Sequence, residues 1–471
     1  MNLIEKNLSD LYQRWSDEQP DSITALKQSG SYRQYFRLTS GNKTAIGAYY
    51  DQVAENRAFI SFTRHFADFD LNVPEVFGVN DDFTCYLLED LGDKILFDHL
   101  KEIRNHEGFG EKSIRIYQQI LDELIQFQMI AGKSLDYSVC YPASRFDEQA
   151  YLWDLNYFKY NFLKPANIPF NEFRLEQDFH KLTDLLLSAD HSCFVYRDFQ
   201  TRNIMLRGDE LCFIDYQGGR LGPLHYDVAS LLFQARAEIP FETRERLLDY
   251  YIAQAARIVP ESVQDFHQHY YHFVLIRVLQ TLGAYGFRGL YEKKQQFIET
   301  IPLALNNIRW LLESDKIPAD LPEIRKSLES VLQSRHLQTL IKPILQLRIN
   351  SFSYKRGIPA DLSGNGGGFV FDCRALPNPG RYAEYVDLTG LDQPVIDYLE
   401  KYPEVDAFIQ NAYAMVKSAV NVYTRRGFTS LSVSFGCTGG RHRSVYCAGQ
   451  LAKKFADSEG VQILLQHCEQ E

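Results

Sequence analysis

Residues 194–218 constrain the fold and the chemistry of this 471-residue chain more than any other part of it. A short apolar stretch leads to Asp198, Asn203 follows five residues later, and a second apolar stretch ends at Asp215. Short apolar runs bounded by turn residues predict buried strands, so these polar side chains should lie where strands end. Phosphoryl transfer requires such a set, with one carboxylate to orient a hydroxyl and two oxygen ligands for Mg²⁺.

The same three residues could instead be ordinary turn residues, because Asp and Asn are common in turns. The complete spacing favours the chemical interpretation. It matches H-R-D-x-x-x-x-N with a downstream D-F-G, with Tyr196 in the place of the His and Asp215-Tyr216-Gln217 in the place of D-F-G. The stretch resembles the aminoglycoside phosphotransferase-like kinases, over roughly residues 1–315. The resemblance implies that Asp198 is the catalytic base, that Asn203 and Asp215 bind Mg²⁺, and that ATP is the phosphoryl donor.

Periodicity along the chain predicts an α+β protein. Residues 32–38 and 44–50 flank a Gly-Asn turn and form a predicted β-hairpin, whereas helical spacing dominates residues 113–310. With the resemblance, this indicates a bilobal protein-kinase-like fold, with a small β lobe and a large mainly α lobe, followed by a smaller α/β domain. The predicted boundaries are 1–320 for the kinase domain, 321–343 for a helical connector and 344–471 for the second domain.

The predicted small lobe lacks the lysine with which kinases pair the nucleotide phosphates. Where they read V-A-I-K, this chain has Thr44-Ala45-Ile46-Gly47, which indicates either a pseudokinase or phosphates held by other groups. Residues 31–37 and 72–76 resemble the branch of anomeric kinases for N-acetylmuramate and N-acetylglucosamine, which likewise tolerates this loss. Two arginines in the first segment are candidate substitutes, or else surface arginines. With a hinge after the apolar strand 86–88, the predicted nucleotide contacts are Ser31, Arg33, Arg37, Glu89 and Leu91.

Residues 151–157 are the predicted sugar-binding segment. Aromatic faces stack on sugar C–H surfaces, and carboxylates accept hydrogen bonds from sugar hydroxyls. Asp154, Tyr157 and Arg197 are therefore the candidate substrate contacts, although aromatic residues at helical spacing are more often part of a core. The resemblance also implies that Asp227 braces the catalytic loop without touching the substrate.

Residues 436–444 form a glycine-rich turn between a predicted strand and a predicted helix. Backbone N–H groups and the positive end of the helix dipole converge at such a turn, and three basic side chains add charge, so phosphate is the natural ligand. A glycine turn with no ligand is the alternative. Cys437, Gly440, Arg443 and Ser444 also have the spacing of the protein tyrosine phosphatase loop, in which the thiolate is the nucleophile.

A second resemblance of this region extends over more of the chain and points to a different family. Residues 436–444, 371–379 and 388–392 closely resemble the C-terminal domain of the RapZ family, over about residues 344–468. This resemblance implies glucosamine-6-phosphate binding, RNA contacts and self-association into a homo-oligomer. The nucleotide-binding half that is usual in that family is replaced here by the predicted kinase. The predicted phosphate contacts are Arg374, Asn378, Cys437, Thr438, Gly439, Gly440, His442 and Arg443.

Charge and composition narrow the choice of partners. The formal net charge is −11, which disfavours broad binding to nucleic acid or acidic membranes. Residues 341–471 carry 14 Lys and Arg against 13 Asp and Glu, so RNA binding there is not favoured either. The eight scattered cysteines suggest reduced thiols, and no leader or membrane span is recognisable, so we expect a cytoplasmic protein.

Taken together, the sequence predicts an ATP- and Mg²⁺-dependent sugar kinase fused to a phosphosugar-sensing domain. The acceptor would be a hydroxyl of an amino sugar or a cell-wall sugar, the anomeric hydroxyl being one candidate. A non-catalytic alternative is a pseudokinase that regulates an RNA-binding adapter of amino-sugar metabolism. The missing lysine favours that alternative, and the intact Asp198, Asn203 and Asp215 disfavour it.

Overall fold

The computed structural model describes residues 3–26, 32–341, 344–360, 367–426 and 428–470. The chain divides into two compact units, Met1–Leu337 and Gln338–Glu471. The division falls inside the segment 321–343 that the sequence assigns to a helical connector. Most of that segment is a helix whose Ile324 and Leu328 are fully buried.

The first unit begins with a small lobe built on a five-stranded antiparallel sheet in the order β1-β2-β3-β5-β4. One helix covers each face of this sheet: Leu8 of α1 packs with Leu87 of β5, and Phe59 of α2 packs on the ring of Tyr86, which points to the opposite face. The elements are α1 (Leu3–Ser16), β1 (Ser22–Ala25), β2 (Gln34–Ser40), β3 (Lys43–Tyr49), α2 (Val53–Ala67), β4 (Val76–Val79) and β5 (Cys85–Glu89).

A larger lobe follows, in which helices surround two short antiparallel strand pairs, β6 with β9 and the hairpin β7–β8. Apart from Cys193, these strands lie in the stretch 194–222, where the sequence predicts strands. The helices are α3 (Leu96–Glu107), α4 (Glu111–Ile125), α5 (Glu148–Phe158), α6 (Glu172–Leu187), α7 (His225–Leu232), α8 (Phe241–Ala255), α9 (Phe266–Tyr285), α10 (Gln295–Ile298), α11 (Ile301–Glu313) and α12 (Pro322–Gln333). The strands are β6 (Cys193–Val195), β7 (Ile204–Arg207), β8 (Glu210–Phe213) and β9 (Arg220–Gly222).

The second unit is an α/β domain with a four-stranded, fully parallel sheet in the order β11-β12-β10-β13. Its apolar core includes strand residues Leu347, Val433 and Phe435 and helix residues Val416 and Leu451. The elements are α13 (Arg335–Leu340), which crosses the division, then β10 (Leu345–Ser353), β11 (Gly368–Asp372), α14 (Gln393–Glu400), α15 (Pro403–Arg426), β12 (Ser430–Cys437), α16 (Arg443–Phe455) and β13 (Val461–His467).

The predicted fold class, a bilobal kinase-like domain followed by a smaller α/β domain, is confirmed. Helices within the described ranges are all too short or too polar to cross a lipid bilayer.

Candidate active site

A buried carboxylate fixes the turn that carries Asp198. Asp227, at the start of α7, has no exposed surface and accepts the backbone N–H groups of Tyr196 and Arg197 at 2.7 and 2.8 Å. Arg197 adopts a left-handed backbone with φ 78°, a costly conformation for a side-chain-bearing residue that persists where its surroundings hold it. Burial raises the pKa of Asp227 to about 7 although both N–H groups lower it. Asp227 therefore holds the turn and stays away from the surface.

The two predicted metal ligands lie on segments that are hydrogen-bonded to this turn. The side-chain amide nitrogen of Asn203 donates to the backbone carbonyl of Asp198 at 2.8 Å, and the backbone carbonyl of Asn203 accepts the N–H of Ile214 at 3.0 Å. The hydroxyl of Tyr196 donates to the carbonyl of Ile214 at 2.5 Å. Asp215 follows directly, again with a left-handed backbone (φ 73°). A short network of hydrogen bonds thus joins Asp198, Asn203 and Ile214, and Asp215 is the next residue in the chain.

This network leaves specific oxygen atoms for a cation. Asn203 uses its amide nitrogen in the bond to Asp198, and Asp215 accepts a 2.9 Å bond from Gln217 on Oδ1. The amide oxygen of Asn203 and Oδ2 of Asp215 are therefore the atoms that could coordinate a metal. Two protein oxygens suit Mg²⁺, which usually completes its octahedron with phosphate oxygens and water. A cluster of three His, Cys, Asp or Glu, which is not found among the described residues, is unnecessary for such a site.

Arginines set the charge state of Asp198. Arg277 of α9 donates to Oδ1 at 3.0 Å, and the Asp198 side chain is 42% exposed. Burial opposes ionisation, but Arg277, Arg202 and Arg197 together hold the pKa of Asp198 below its usual value. The pKa of Asp215 shifts in the opposite direction, because burial and the nearby Asp198 carboxylate raise it. The sequence gives no sign of Arg277, because it lies 79 residues away on a helix.

Tyr216 connects the metal-ligand segment to the small lobe. Its hydroxyl shares a 2.7 Å hydrogen bond with Thr63 of α2, and its ring stacks on Phe59 with centroids 5.3 Å apart. Both partners lie on the face of α2 that helical spacing of phenylalanines predicts to be buried. The position of α2 is therefore coupled to the residue that follows Asp215.

The small lobe contains a buried arginine–carboxylate pair. Arg33 precedes β2, is 2% exposed, and donates to Glu55 of α2 at 2.9 Å and to Asn56 at 3.4 Å. Tyr35, two residues further on, lies close enough to Asp215 for that carboxylate to raise its pKa, alongside the larger effect of burial. Arg33 therefore lies on the side of the sheet that faces the catalytic residues. Ser31, also predicted to contact nucleotide, lies outside the described residues.

Gly47 does not occupy the lysine position that its sequence alignment suggests. It pairs with Phe36 and Leu87, whose side chains face α1, and a Cβ on Gly47 would lie 2.9 Å from side-chain atoms of Leu8 and Leu38. A lysine there would point into an apolar core. The β3 residues on the opposite face are Thr44, Ile46 and Ala48, so β3 carries no lysine toward the site.

Arg37, predicted as a nucleotide contact, is instead paired with carboxylates. Its guanidinium donates to both oxygens of Asp90 at 2.8 and 3.0 Å and to Asp93 at 2.8 and 3.2 Å. A fork already paired with two carboxylates is not available to a phosphate group. Arg37 therefore fixes the turn after β5, which contains Leu91. At the start of this turn, Glu89 pairs with Arg207 at 2.5 Å.

Asp154 lies near Asp198, on the side of the turn formed by α5 and α7. It is 5% exposed, its Oδ1 is 3.6 Å from Nη2 of Arg197, and its Oδ2 is 3.4 Å from the hydroxyl of Tyr226. Burial raises the pKa of Asp154, and Arg197 opposes this effect. Tyr157 lies three residues further along α5, half-buried against Phe287. The structure thus brings Asp154 and Arg197 together, with Tyr157 on the same helix.

In the second unit, the loop between β12 and α16 surrounds the thiol of Cys437. The sulfur lies 3.2 Å from the hydroxyl of Ser444 and accepts the N–H of Gly440 at 3.2 Å. Burial would raise the pKa of Cys437, but these groups and Arg443 lower it below its usual value. Gly440 has φ 69°, a conformation that favours glycine.

Arg443 does not point into this loop as a phosphate-binding arginine would. Its Nη1 donates to the carbonyls of Arg374 and Leu376 at 2.8 and 3.1 Å, and it is 5% exposed. Arg374 pairs with Asp372, and His442 contacts the carbonyl of Tyr385 at 2.9 Å. The phosphatase interpretation is not supported, because the arginine of the loop is used to hold main-chain carbonyls.

A cleft of about 540 Å³ lies beside this loop. Of the predicted phosphate contacts, Gly439 lines this cleft. Asn378, Thr438 and the other predicted contacts are not among its lining residues. Its positive charge comes from Arg441, one of the basic residues of the glycine-rich turn, and from Lys355 and Arg356, which the sequence did not suggest. The lining residues are Ser353, Lys355, Arg356, Thr389, Gly439, Arg441, Glu469 and Gln470. Lys355 and Arg356 follow β10, a position whose proximity to the loop depends on the parallel pairing of β10 with β12.

A sheet-based small lobe, a helical large lobe and the linked Asp198, Asn203 and Asp215 define a phosphotransferase of the kinase-like class. Residues 22–266, just over half of the chain, match the model of the Phosphotransferase enzyme family (APH), and the chain belongs to that family. Residues 345–471 match the model of the RapZ C-terminal domain.

Comparisons with individual proteins follow this division. A nucleotide-binding protein of Thermotoga sp. (strain RQ2) is 44% identical over 121 residues, which are 26% of this chain and 41% of that protein. One from Azoarcus sp. (strain BH72) is 45% identical over 123 residues, 26% of this chain and 40% of that protein. The chain therefore spans about two fifths of the length of these curated relatives.

Solved structures of small-molecule kinases resemble the chain at low identity. Plasmodium vivax ethanolamine kinase has a TM-score of 0.45 at 13% identity, covering 63% of this chain and 85% of that one. Choline kinase from Cryptosporidium parvum Iowa II has a TM-score of 0.44 at 14% identity, covering 63% and 91%. ADP-bound aminoglycoside phosphotransferase APH(2'')-Ib has a TM-score of 0.41 at 16% identity, covering 64% and 97%.

Proposed function

We propose that this protein is an ATP-dependent kinase that phosphorylates a hydroxyl of an amino sugar or a cell-wall sugar, the anomeric hydroxyl being one candidate. The observation that carries the proposal is that Asn203 is hydrogen-bonded to Asp198 and to Ile214, the residue before Asp215, and that the buried Asp227 braces this turn. A surface turn would not need a buried carboxylate beneath it or two residues with left-handed backbones.

Asp198 is the residue that orients the acceptor. Its carboxylate is partly exposed, stays ionised because of the surrounding arginines, and can accept a hydrogen bond from a sugar hydroxyl. The hydroxyl oxygen is then aligned for attack on the γ-phosphoryl group of ATP. Its proton passes to Asp198 as the new P–O bond forms, while the bond between the γ-phosphorus and the β,γ-bridging oxygen breaks and ADP leaves. Mg²⁺ held by Asn203 and Asp215 would neutralise charge on the phosphate oxygens.

Arg33 and Glu55 take the place of the usual pair between a strand lysine and a helix glutamate. A guanidinium on the site-facing side of β2, paired with the first turn of α2, holds that helix against the sheet as the lysine pair does in kinases. This pair supports an active site in spite of the missing lysine. Arg37, with Asp90, serves the hinge near Glu89 and Leu91, where adenine would bind.

The second unit is proposed to sense a phosphosugar or inorganic phosphate. Its basic cleft beside residues 436–444 and its match to the RapZ C-terminal domain support this role. Contacts with RNA and assembly of a homo-oligomer through this unit are further expectations from the same resemblance. A regulator without catalysis is the second candidate, and the absence of a site-facing lysine on the described strand β3 favours it.

The test is ATP consumption measured against N-acetylmuramate, N-acetylglucosamine, glucosamine and aminoglycosides. Turnover with a sugar is expected, and Asp198→Asn should reduce kcat by about a thousandfold or more while nucleotide affinity is retained. A surface substitution on the same lobe, Asp209→Asn, serves as the control. No turnover with any sugar, together with tight binding of a structured RNA, would favour the regulator.

A further inference from the structure

Arg220 is a buried arginine whose two terminal nitrogens have no hydrogen-bond partner within the described part of the chain. It lies on β9, five residues after Asp215, and is 0% exposed. Its Nε donates to the carbonyl of Gly218 at 3.1 Å, but neither Nη1 nor Nη2 has a hydrogen-bond partner among the described residues. Burying an unpaired cationic group is among the most costly arrangements in a protein interior. The cost indicates that something else interacts with this guanidinium in the working protein.

The charges around Arg220 do not balance. Asp198 pairs with Arg277 at 3.0 Å, and Asp154 lies 3.6 Å from Arg197. Asp198 and Asp154 thus each have an arginine, and Asp227 is held by backbone N–H groups, so Arg220 is left without a carboxylate partner among the described residues. The ring of Phe146, 5.8 Å from its guanidinium carbon, offers only a weak cation–π contact.

Arg220 belongs to the acceptor side of the site. Burial, and then the nearby charge of Arg197, lower the pKa of Arg220 to about 10, whereas Tyr226 and Asp154 oppose this effect. The geometry agrees: Gly218, whose carbonyl accepts Nε of Arg220, lies against Arg197, because a Cβ on Gly218 would be 3.8 Å from Cδ of Arg197. Arg197, whose side chain is 28% exposed, is the member of the group that solvent reaches. An anion that entered beside Arg197 would relieve the repulsion between the two arginines.

We propose that Arg220, together with Arg197, binds an anionic group of the acceptor, a carboxylate or a phosphate ester, next to the hydroxyl that is phosphorylated. The inference rests on the proposed kinase function and narrows its substrate class to acidic sugars. Two parallel N–H groups of an arginine match the two oxygens of such an anion. Neutral and polycationic acceptors leave this guanidinium unpaired, and they should therefore be poor substrates.

The test compares three acceptors that differ in charge: N-acetylmuramate with a carboxylate, N-acetylglucosamine 6-phosphate with a phosphate, and neutral N-acetylglucosamine. The wild-type protein should show kcat/KM at least about tenfold higher for one of the anionic sugars. Arg220→Gln should remove that preference, while kcat/KM for the neutral sugar and KM for ATP change less than about twofold. Arg220→Lys should restore part of the preference, and exposed Arg257→Gln should leave all values unchanged.

Whichever anionic sugar is preferred shows whether the group bound by Arg220 is a carboxylate or a phosphate ester. Equal activity on all three sugars, or an equal loss for all three in Arg220→Gln with an unchanged melting temperature, would overturn the inference and point to ordered water as the partner of Arg220. Where Arg220→Gln fails to fold, Arg220→Lys is the variant compared, and an unchanged ratio between anionic and neutral sugars again overturns it.

A binding measurement separates this inference from the kinase function itself. Calorimetry with each sugar and the Asp198→Asn protein, with and without Arg220→Lys, reports acceptor affinity without turnover. Binding of an anionic sugar that weakens in the lysine variant, together with no turnover of any sugar by the wild-type protein, would support the anion site and contradict the proposed function. Turnover of sugars without any preference for an anionic acceptor would support the proposed kinase function and contradict the anion site.

Discussion

Individual side chains are the basis of our proposal that the site functions without the usual lysine. The sequence spacing was sufficient to predict Asp198, Asn203 and Asp215, because their positions relative to short strands are local properties. It could not predict the pairs Arg33–Glu55 and Arg277–Asp198, because each joins residues that are distant in the chain. Arg33 was predicted as a candidate, but its partner depends on how α2 packs on the sheet.

Breaking the Arg33–Glu55 pair should reduce both stability and ATP use. Arg33→Met leaves Glu55, which is 20% exposed, without its partner, and we expect a loss of about 2–4 kcal/mol in the free energy of unfolding. Urea denaturation and kcat/KM for ATP measure the two effects. Arg33→Met combined with Glu55→Met should recover stability but not activity. Recovery of activity as well would show that the pair only stabilises the lobe.

The pH profile should report the effect of Arg277 on Asp198. Because the pKa of Asp198 is held below its usual value, its carboxylate stays ionised as pH falls, and kcat/KM should not decline until pH drops below that lowered pKa. Arg277→Gln removes the 3.0 Å contact and should move the acid limb of the profile to higher pH. Arg277→Lys should restore the wild-type position in part. A lower kcat with an unshifted acid limb would mean that Arg277 acts only on structure.

At the level of elements, pairing and packing decide which face a residue uses. The hairpin β2–β3 and the helix α2 were predictable from alternation and from the spacing of phenylalanines. Which residues of β3 point toward the nucleotide was not predictable, because aligning a sequence motif does not specify the face of the sheet on which each side chain lies. Gly47 illustrates this: its pairing with Phe36 and Leu87 directs it toward α1, and its lack of a side chain lets α1 approach.

Restoring the lysine of the family motif at Gly47 should therefore destabilise the protein. Gly47→Lys places a side chain 2.9 Å from Leu8 and Leu38 and a charge in an apolar core, for which we expect a loss of about 3 kcal/mol or more. Thr44→Lys, at an exposed position on the same strand, is the matched control. Thermal unfolding compares the two variants. A Gly47→Lys protein with unchanged stability and faster ATP turnover would show that the strand is aligned differently.

At the level of the whole molecule, the chain contains two compact units with separate cores. Residues 1–340 carry a net charge of −12, with 36 Lys and Arg against 48 Asp and Glu, and the nearly neutral remainder carries a basic cleft that the total of −11 conceals. The glycine loop of this unit was recognisable from sequence. Its cationic surroundings were not, because Lys355 and Arg356 reach it through parallel pairing of β10 and β12.

The separate cores predict that damage to one unit leaves the other intact. Arg443→Met removes hydrogen bonds to two main-chain carbonyls in the interior, and we expect the second unit to lose about 1–3 kcal/mol of stability. Hydrogen exchange should increase in residues 345–470, while residues 32–337 and the KM for ATP stay unchanged. Faster exchange throughout both units would instead indicate that they unfold together.

Phosphorus NMR of the reaction mixture measures the chemistry of Asp198, Asn203 and Asp215 most directly. With ATP, Mg²⁺ and an amino sugar or a cell-wall sugar, the wild-type protein should produce ADP and a new phosphate-ester signal whose coupling identifies the phosphorylated hydroxyl. Asp198→Asn should produce neither, although it still binds nucleotide. The absence of an ester with every sugar tested, or an equal yield from Asp198→Asn, would contradict the assignment of this site as a sugar kinase.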